Sequence, residues 1–129
     1  MTRALWDHLL EQARAAHQAS AALTNFCPFP DDVTAQPVSP YHIPAADLMT
    51  ADHPLPSSGL SALRDAFVAA GSSAHWRETY KGTDIGQDFL DRFACYSLIG
   101  PGAPWTSSSM YAFVVYMPPG LWYPWHQHP

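Results

Sequence analysis

Seven of the thirteen prolines fall between Cys27 and Pro56, at Pro28, Pro30, Pro37, Pro40, Pro44, Pro54 and Pro56, and nothing else restricts the fold as strongly. Each locks its own φ and withholds an N–H, so neither a long helix nor a central strand can run through the stretch. The chain is thereby divided into two parts joined by a long, stiffened connection. Such a segment wraps a surface, covers a site, or serves as a plain tether.

Before the prolines, Leu5, Trp6, Leu9, Leu10, Ala13, Ala16 and Leu23 recur at spacings near three and four, which predicts an amphipathic helix from Thr2 to about Leu23 with Thr2 as its cap. Its apolar stripe is expected to pack on its own domain, docking of a partner helix being the alternative. A second helix is predicted from about Leu60 to Ala70, introduced by Ser57 and Ser58 and stopped by Gly71, with Leu60, Leu63, Phe67 and Val68 buried. Residues 75–93 read as loops with one short helix near Ile85, Phe89 and Leu90. After Phe93 the runs ACYSLIG, MYAFVVYMPPG and LWYPWHQH are rich in aromatic and branched residues and predict strands. Helices first and strands later imply an α+β fold with helical material flanking an antiparallel sheet.

Composition narrows the function classes. The 129 residues are 47% hydrophobic and 13% aromatic, suited to one globular domain or part of one. A net charge of -5 without any basic run lacks the electrostatic footprint of nucleic-acid binding. No apolar stretch approaches the roughly 18 residues that a membrane span needs. Asp7, His8 and Glu11 interrupt what would be the core of a signal peptide, so the cytoplasm is the expected compartment. Cys27 and Cys95 form neither a CxxC motif nor a disulfide framework and receive no chemical role.

The chemistry concentrates in the last ten residues. In an extended segment residues two apart face the same way, so His126 and His128 can share one ion, and neutral imidazoles suit Zn, Fe, Mn, Ni or Co. Seven histidines scattered over this length give such a pair by chance roughly 0.4 times, so the pair alone decides little. Requiring a glycine six positions earlier, met by Gly120, lowers the chance figure to roughly 0.02. His8, His17, His42, His53 and His75 have no partner at ligand spacing, and Asp84, Asp88 and Asp91 read as the solvated face of a short helix.

Gly-x5-His-x-His opens the first cupin motif. With its flanks HWRETYKGTDIGQDFLDRFACYSLIGPGAPW and VVYMPPGLWYPWHQHP, the segment from residue 75 to 129 resembles the bacterial cupin-type dimethylsulfoniopropionate lyases of the Q type. The resemblance implies a β-barrel whose first part is present here, with residues 1–74 as a helical extension carrying the proline-rich connection and residues 75–129 as the start of the cupin domain. It implies cleavage of dimethylsulfoniopropionate to dimethyl sulfide and acrylate around a divalent transition metal. Carried over by position, His126 and His128 become metal ligands and Tyr123 an active-site tyrosine near the substrate. The family's Glu ligand, its last His ligand and the Tyr assigned as base would lie beyond Pro129. The chain is therefore expected to be an inactive fragment of a longer enzyme of about 200 residues.

The implied substrate pairs a carboxylate with a sulfonium cation, and aromatic faces suit the latter, each contributing roughly 0.5 to 2 kcal/mol. Trp122, Tyr123, Trp125 and Tyr116 are the candidates, with core packing the competing role for each tryptophan. Pleat parity puts Trp122 with the two histidines and sends Tyr123 and Trp125 to the opposite face, unless Pro124 breaks the pleat and turns Tyr123 inward. A non-catalytic ligand-binding cupin, another metal-dependent cupin enzyme such as a dioxygenase or isomerase, and a helical interaction protein remain as rival readings.

Overall fold

The computed structural model describes residues 2–51 and 59–127; His53, Pro54, Pro56, Ser57, Ser58, His128 and Pro129 lie outside them. The first apolar stripe is not one helix but two. Helix α1 (Thr2–Gln18) begins at Thr2 itself, and α2 (Ala21–Phe26) restarts after Ser20, whose side chain accepts from the Leu23 N–H. The serine offers the backbone a local partner and so breaks the run, which leaves Leu23 exposed. Trp6, Leu9 and Leu10 of α1 bury themselves in the chain's own core.

The proline-rich connection wraps the surface and is less bare than its composition suggests. It contains a two-residue strand, β1 (Thr34–Ala35), and a helix, α3 (Ala45–Ala51). Pro44 sits directly before α3 and accepts from the Asp47 N–H, because a proline at a helix start loses no hydrogen bond and brings a preset φ. The described part of the strap is tied down at Gln36. The Gln36 N–H donates to the Pro104 carbonyl at 2.9 Å and its side chain to the Gly100 carbonyl at 2.8 Å. Arg3 donates to the Gln36 carbonyl at 2.9 Å and lies over the Trp105 ring at 4.8 Å.

Helix α4 (Ser61–Ala70) ends at Gly71 for a reason other than a left-handed cap. Gly71 is right-handed, φ -58°, and leads into a short 3-10 turn. A Cβ here would lie 3.2 Å from both the Met49 methyl and the Trp76 ring, so the glycine serves close packing. Phe67, Ala66 and Ala70 form the buried side, with Leu63 and Val68 partly buried and Leu60 exposed.

The sheet is mixed, where purely antiparallel pairing was expected. After α5 (Gln87–Arg92), strand β2 (Ala94–Ile99) pairs antiparallel with β4 (Ala112–Tyr116) and parallel with the two-residue β3 (Trp105–Thr106), giving the order β1-β3-β2-β4. Strands of two residues leave no periodic signature, which is why β1 and β3 escape a sequence reading. The run LWYPWHQH is not a strand within the described residues. Leu121 N–H turns back to the Pro118 carbonyl, and Pro124 has no N–H for a ladder.

Pleat alternation gives the sheet two unlike faces. Tyr96 of β2 and Val114 of β4 face the helices, where Trp76 and Tyr96 meet edge to face at 4.9 Å and Phe67 lies 5.0 Å from Tyr96. Tyr96 donates to the Phe67 carbonyl at 2.8 Å and Trp76 to the Gly71 carbonyl at 2.8 Å, satisfying both buried polar atoms. On the other face Phe113, Val115 and the flanking Tyr111 and Met117 stand exposed, and the sheet is not closed into a barrel. Cys95 also points to this second face, into a small cluster with Phe89 and Phe93. Burial pushes its thiol pKa up.

Asp32 fastens the strap to the β3–β4 turn. It accepts from Ser107 Oγ at 2.6 Å, from the Ser108 hydroxyl and from the Ser108 N–H at 2.9 Å. Those bonds, Ser107 first, lower its pKa from 3.8 to about 2. A carboxylate whose pKa falls on folding stabilises above its unfolded pKa and loses that contribution as pH falls through the folded value. The melting-temperature gap between wild type and Asp32→Ala is therefore expected to be full above pH 3.8 and to close near pH 2, as thermal melts across that range would record.

Candidate active site

The second cluster is where the sequence-predicted site residues arrive. Helix α5 and the start of β2 present Phe89, Phe93 and Cys95, and the segment after Gly120 lays Leu121 and Tyr123 against them. Phe89 and Phe93 stack at 4.7 Å, and Tyr123 lies 5.1 Å and 5.4 Å from them. Tyr123 is thus turned inward although simple alternation sends it away from the histidines, since the segment is not pleated.

His126 follows Tyr123 by three residues and lies against it, ring on ring, with centroids 4.2 Å apart and planes within 23°. His126 Nδ1 lies 2.9 Å from the Pro124 carbonyl and donates to it in the neutral ring, which leaves Nε2 as the lone-pair nitrogen. Tyr123 also shares a hydrogen bond with the Tyr80 hydroxyl. Burial, reinforced by that bond, pushes the Tyr123 pKa up and keeps its phenol protonated at neutral pH.

These groups border an open cleft of about 360 Å³ lined by Tyr80, Thr83, Asp84, Trp122, Tyr123 and His126, among others. Trp122 reaches the cleft lining but is 74% exposed, and Trp125 is fully exposed and stands outside it. Tyr116 is buried on the helical side of the sheet, which removes it from the sulfonium candidates. The structure brings Tyr123, Trp122 and His126 together; His128 lies outside the described residues.

An imidazole oriented through its Nδ1 by a backbone carbonyl is the usual arrangement of a metal-binding histidine, so the chemistry of His126 fits a divalent transition ion. Among the described residues no group of three or more His, Cys, Asp or Glu converges. Three of the other histidines are engaged elsewhere: His17 with the Cys27 carbonyl, His75 with the Ser39 carbonyl and the Tyr41 ring, and His42 with Asp47. Asp88 pairs with Arg92 and Asp91 accepts from Gln87 on the outer side of α5. Tyr80 is the functional candidate that sequence reasoning left without a role. Its one sequence signal is the neighbouring Gly82, since contact with a residue 43 positions away has no local signature.

Comparison with known proteins points one way. The family model for dimethylsulfoniopropionate (DMSP) lyase matches residues 11–129. The DMSP lyase DddQ of Ruegeria pomeroyi is 52% identical over 124 residues, covering 96% of this chain and 62% of the relative. Its crystal structure superposes with a TM-score of 0.90, covering 97% of this chain and 64% of that one. A chain from crystal structures of the DMSP lyases RdDddP and RnDddQII is 36% identical with a TM-score of 0.85, covering 94% of this chain and 62% of that one. The chain thus spans less than two thirds of the length of these relatives.

Proposed function

The chain belongs to the dimethylsulfoniopropionate lyase family, and from that premise we propose that the whole protein cleaves dimethylsulfoniopropionate by β-elimination into dimethyl sulfide and acrylate. The observation that carries the site assignment is the Tyr123–His126 stack at the edge of the cleft. The proposed ligands are His126 and His128, and the metal is one of Zn, Fe, Mn, Ni or Co. When bound, such an ion supplies Lewis-acid stabilisation of the charge that develops at the substrate carboxylate.

The residues of this chain then do three things. His126, its Nδ1 oriented by the Pro124 carbonyl, would hold the ion through Nε2 and so set where the carboxylate end lies. Tyr123 lays its ring face against that imidazole, with Phe89 and Phe93 packed on its inner side. Trp122, at the cleft lining, keeps an open ring face, which suits a sulfonium cation that must meet no competing nucleophile. We assign residues 1–74 to a helical extension and residues 75–129 to the start of a cupin-type domain whose interior is the exposed face of the sheet. Among the described residues no helix is long and apolar enough to cross a membrane, and we place the protein in the cytoplasm with a small zwitterion as its partner rather than nucleic acid.

The test is direct. The whole protein is incubated with dimethylsulfoniopropionate, and dimethyl sulfide in the headspace and acrylate in solution are measured together. The expected result is equimolar release that stops on chelation and returns with a divalent transition metal. Oxygen uptake with no dimethyl sulfide would assign the protein to another class of metal-dependent enzyme.

A further inference from the structure

Tyr80 is the single non-glycine residue with a positive φ, 62°, among the described residues. The left-handed region is sterically costly for a bulky aromatic, and such outliers persist where the surroundings enforce them, often at functional sites. The enforcement is visible. The Tyr80 carbonyl accepts from the Thr83 N–H at 3.1 Å and from Thr83 Oγ1 at 2.6 Å, while Gly82 takes the second left-handed position of the turn. Lys81 donates to Glu78 at 2.7 Å, and Tyr41 of the proline strap donates to the same carboxylate at 2.8 Å. The turn is thereby fastened from both sides.

The consequence of that backbone is where the side chain goes. The ring drops edge-on against Phe89 at 5.5 Å and Phe93 at 5.8 Å, and its hydroxyl meets that of Tyr123. Residues 121–127 have no strand ladder to hold them, so side-chain contacts orient this segment. We propose that Tyr80 is a positioning residue: its hydroxyl fixes the Tyr123 ring, and the fixed ring holds the His126 imidazole in the plane needed for its Nε2 to meet an ion. Packing alone would be served equally by phenylalanine, so the hydroxyl is what distinguishes this role from a structural one.

The proposal takes its activity readout from the lyase reading but has a second readout independent of it. Tyr80→Phe and, to loosen the turn without touching the ring, Thr83→Val are made in the whole protein. Zinc affinity is measured by competition with a chromophoric chelator, kcat and KM with dimethylsulfoniopropionate, and folding by thermal melting. For Tyr80→Phe we expect zinc binding weaker by about tenfold and kcat lower by about tenfold, with KM within about twofold and an unchanged melting temperature. Thr83→Val is expected to move the same two quantities less. Wild-type zinc affinity in Tyr80→Phe, or losses that merely follow a lowered melting temperature, overturns the proposal. If the wild type releases no dimethyl sulfide, the lyase reading fails and the zinc measurement alone decides the role of Tyr80.

Discussion

Changing His126 and His128 together to alanine in the whole protein is expected to abolish retention of a stoichiometric metal ion and to lower dimethyl sulfide release at least about a thousandfold. A Lewis acid at the reacting carboxylate is worth several kcal/mol, and each 1.4 kcal/mol is about a factor of ten in rate. Stability should change little, since His126 is exposed and lies outside both apolar clusters. Metal analysis of the purified variant beside a headspace assay checks both halves. Metal retained at the wild-type ratio would remove these histidines from the site, whatever happened to the rate.

The largest expected effect on stability comes from a different aromatic residue. Trp76→Ala should destabilise the fold by about 3–5 kcal/mol, the usual cost of emptying a buried tryptophan site. Trp76 is 2% exposed, meets Tyr96 edge to face and lies 6.2 Å from Phe67. Its removal also strips the Gly71 carbonyl of the indole donor at 2.8 Å. The same change at Trp125, fully exposed, should fall within about 0.5 kcal/mol of wild type. Urea denaturation of the two variants, compared by midpoint at equal slope, measures the contrast, and similar losses at both positions would mean that the helical face of the sheet is not the core.

That contrast also marks what was legible in the sequence. Periodicity over ten or more residues identified α1 and α4, and the branched and aromatic runs identified β2 and β4, because each repeats its burial pattern often enough to be read. Ser20 split the first stripe, Pro44 started a helix where prolines suggested none, and β1 and β3 were too short to show a period. Each depends on one residue's hydrogen bonding or on a distant partner. At the candidate site, spacing and family resemblance pointed to Tyr123 and His126, which the fold brings together. The inward turn of Tyr123 needed Pro124 to break the pleat, and the contact with Tyr80 needed a left-handed turn that only the fold reveals.

The most direct measurement is anomalous diffraction at the metal edge from crystals of the whole protein. We expect one strong peak about 2.0–2.1 Å from His126 Nε2, shared with His128, beside the ring of Tyr123. A metal bound elsewhere, with the two imidazoles turned apart into solvent, would contradict the assignment of this terminal pair as half of the ion's protein shell.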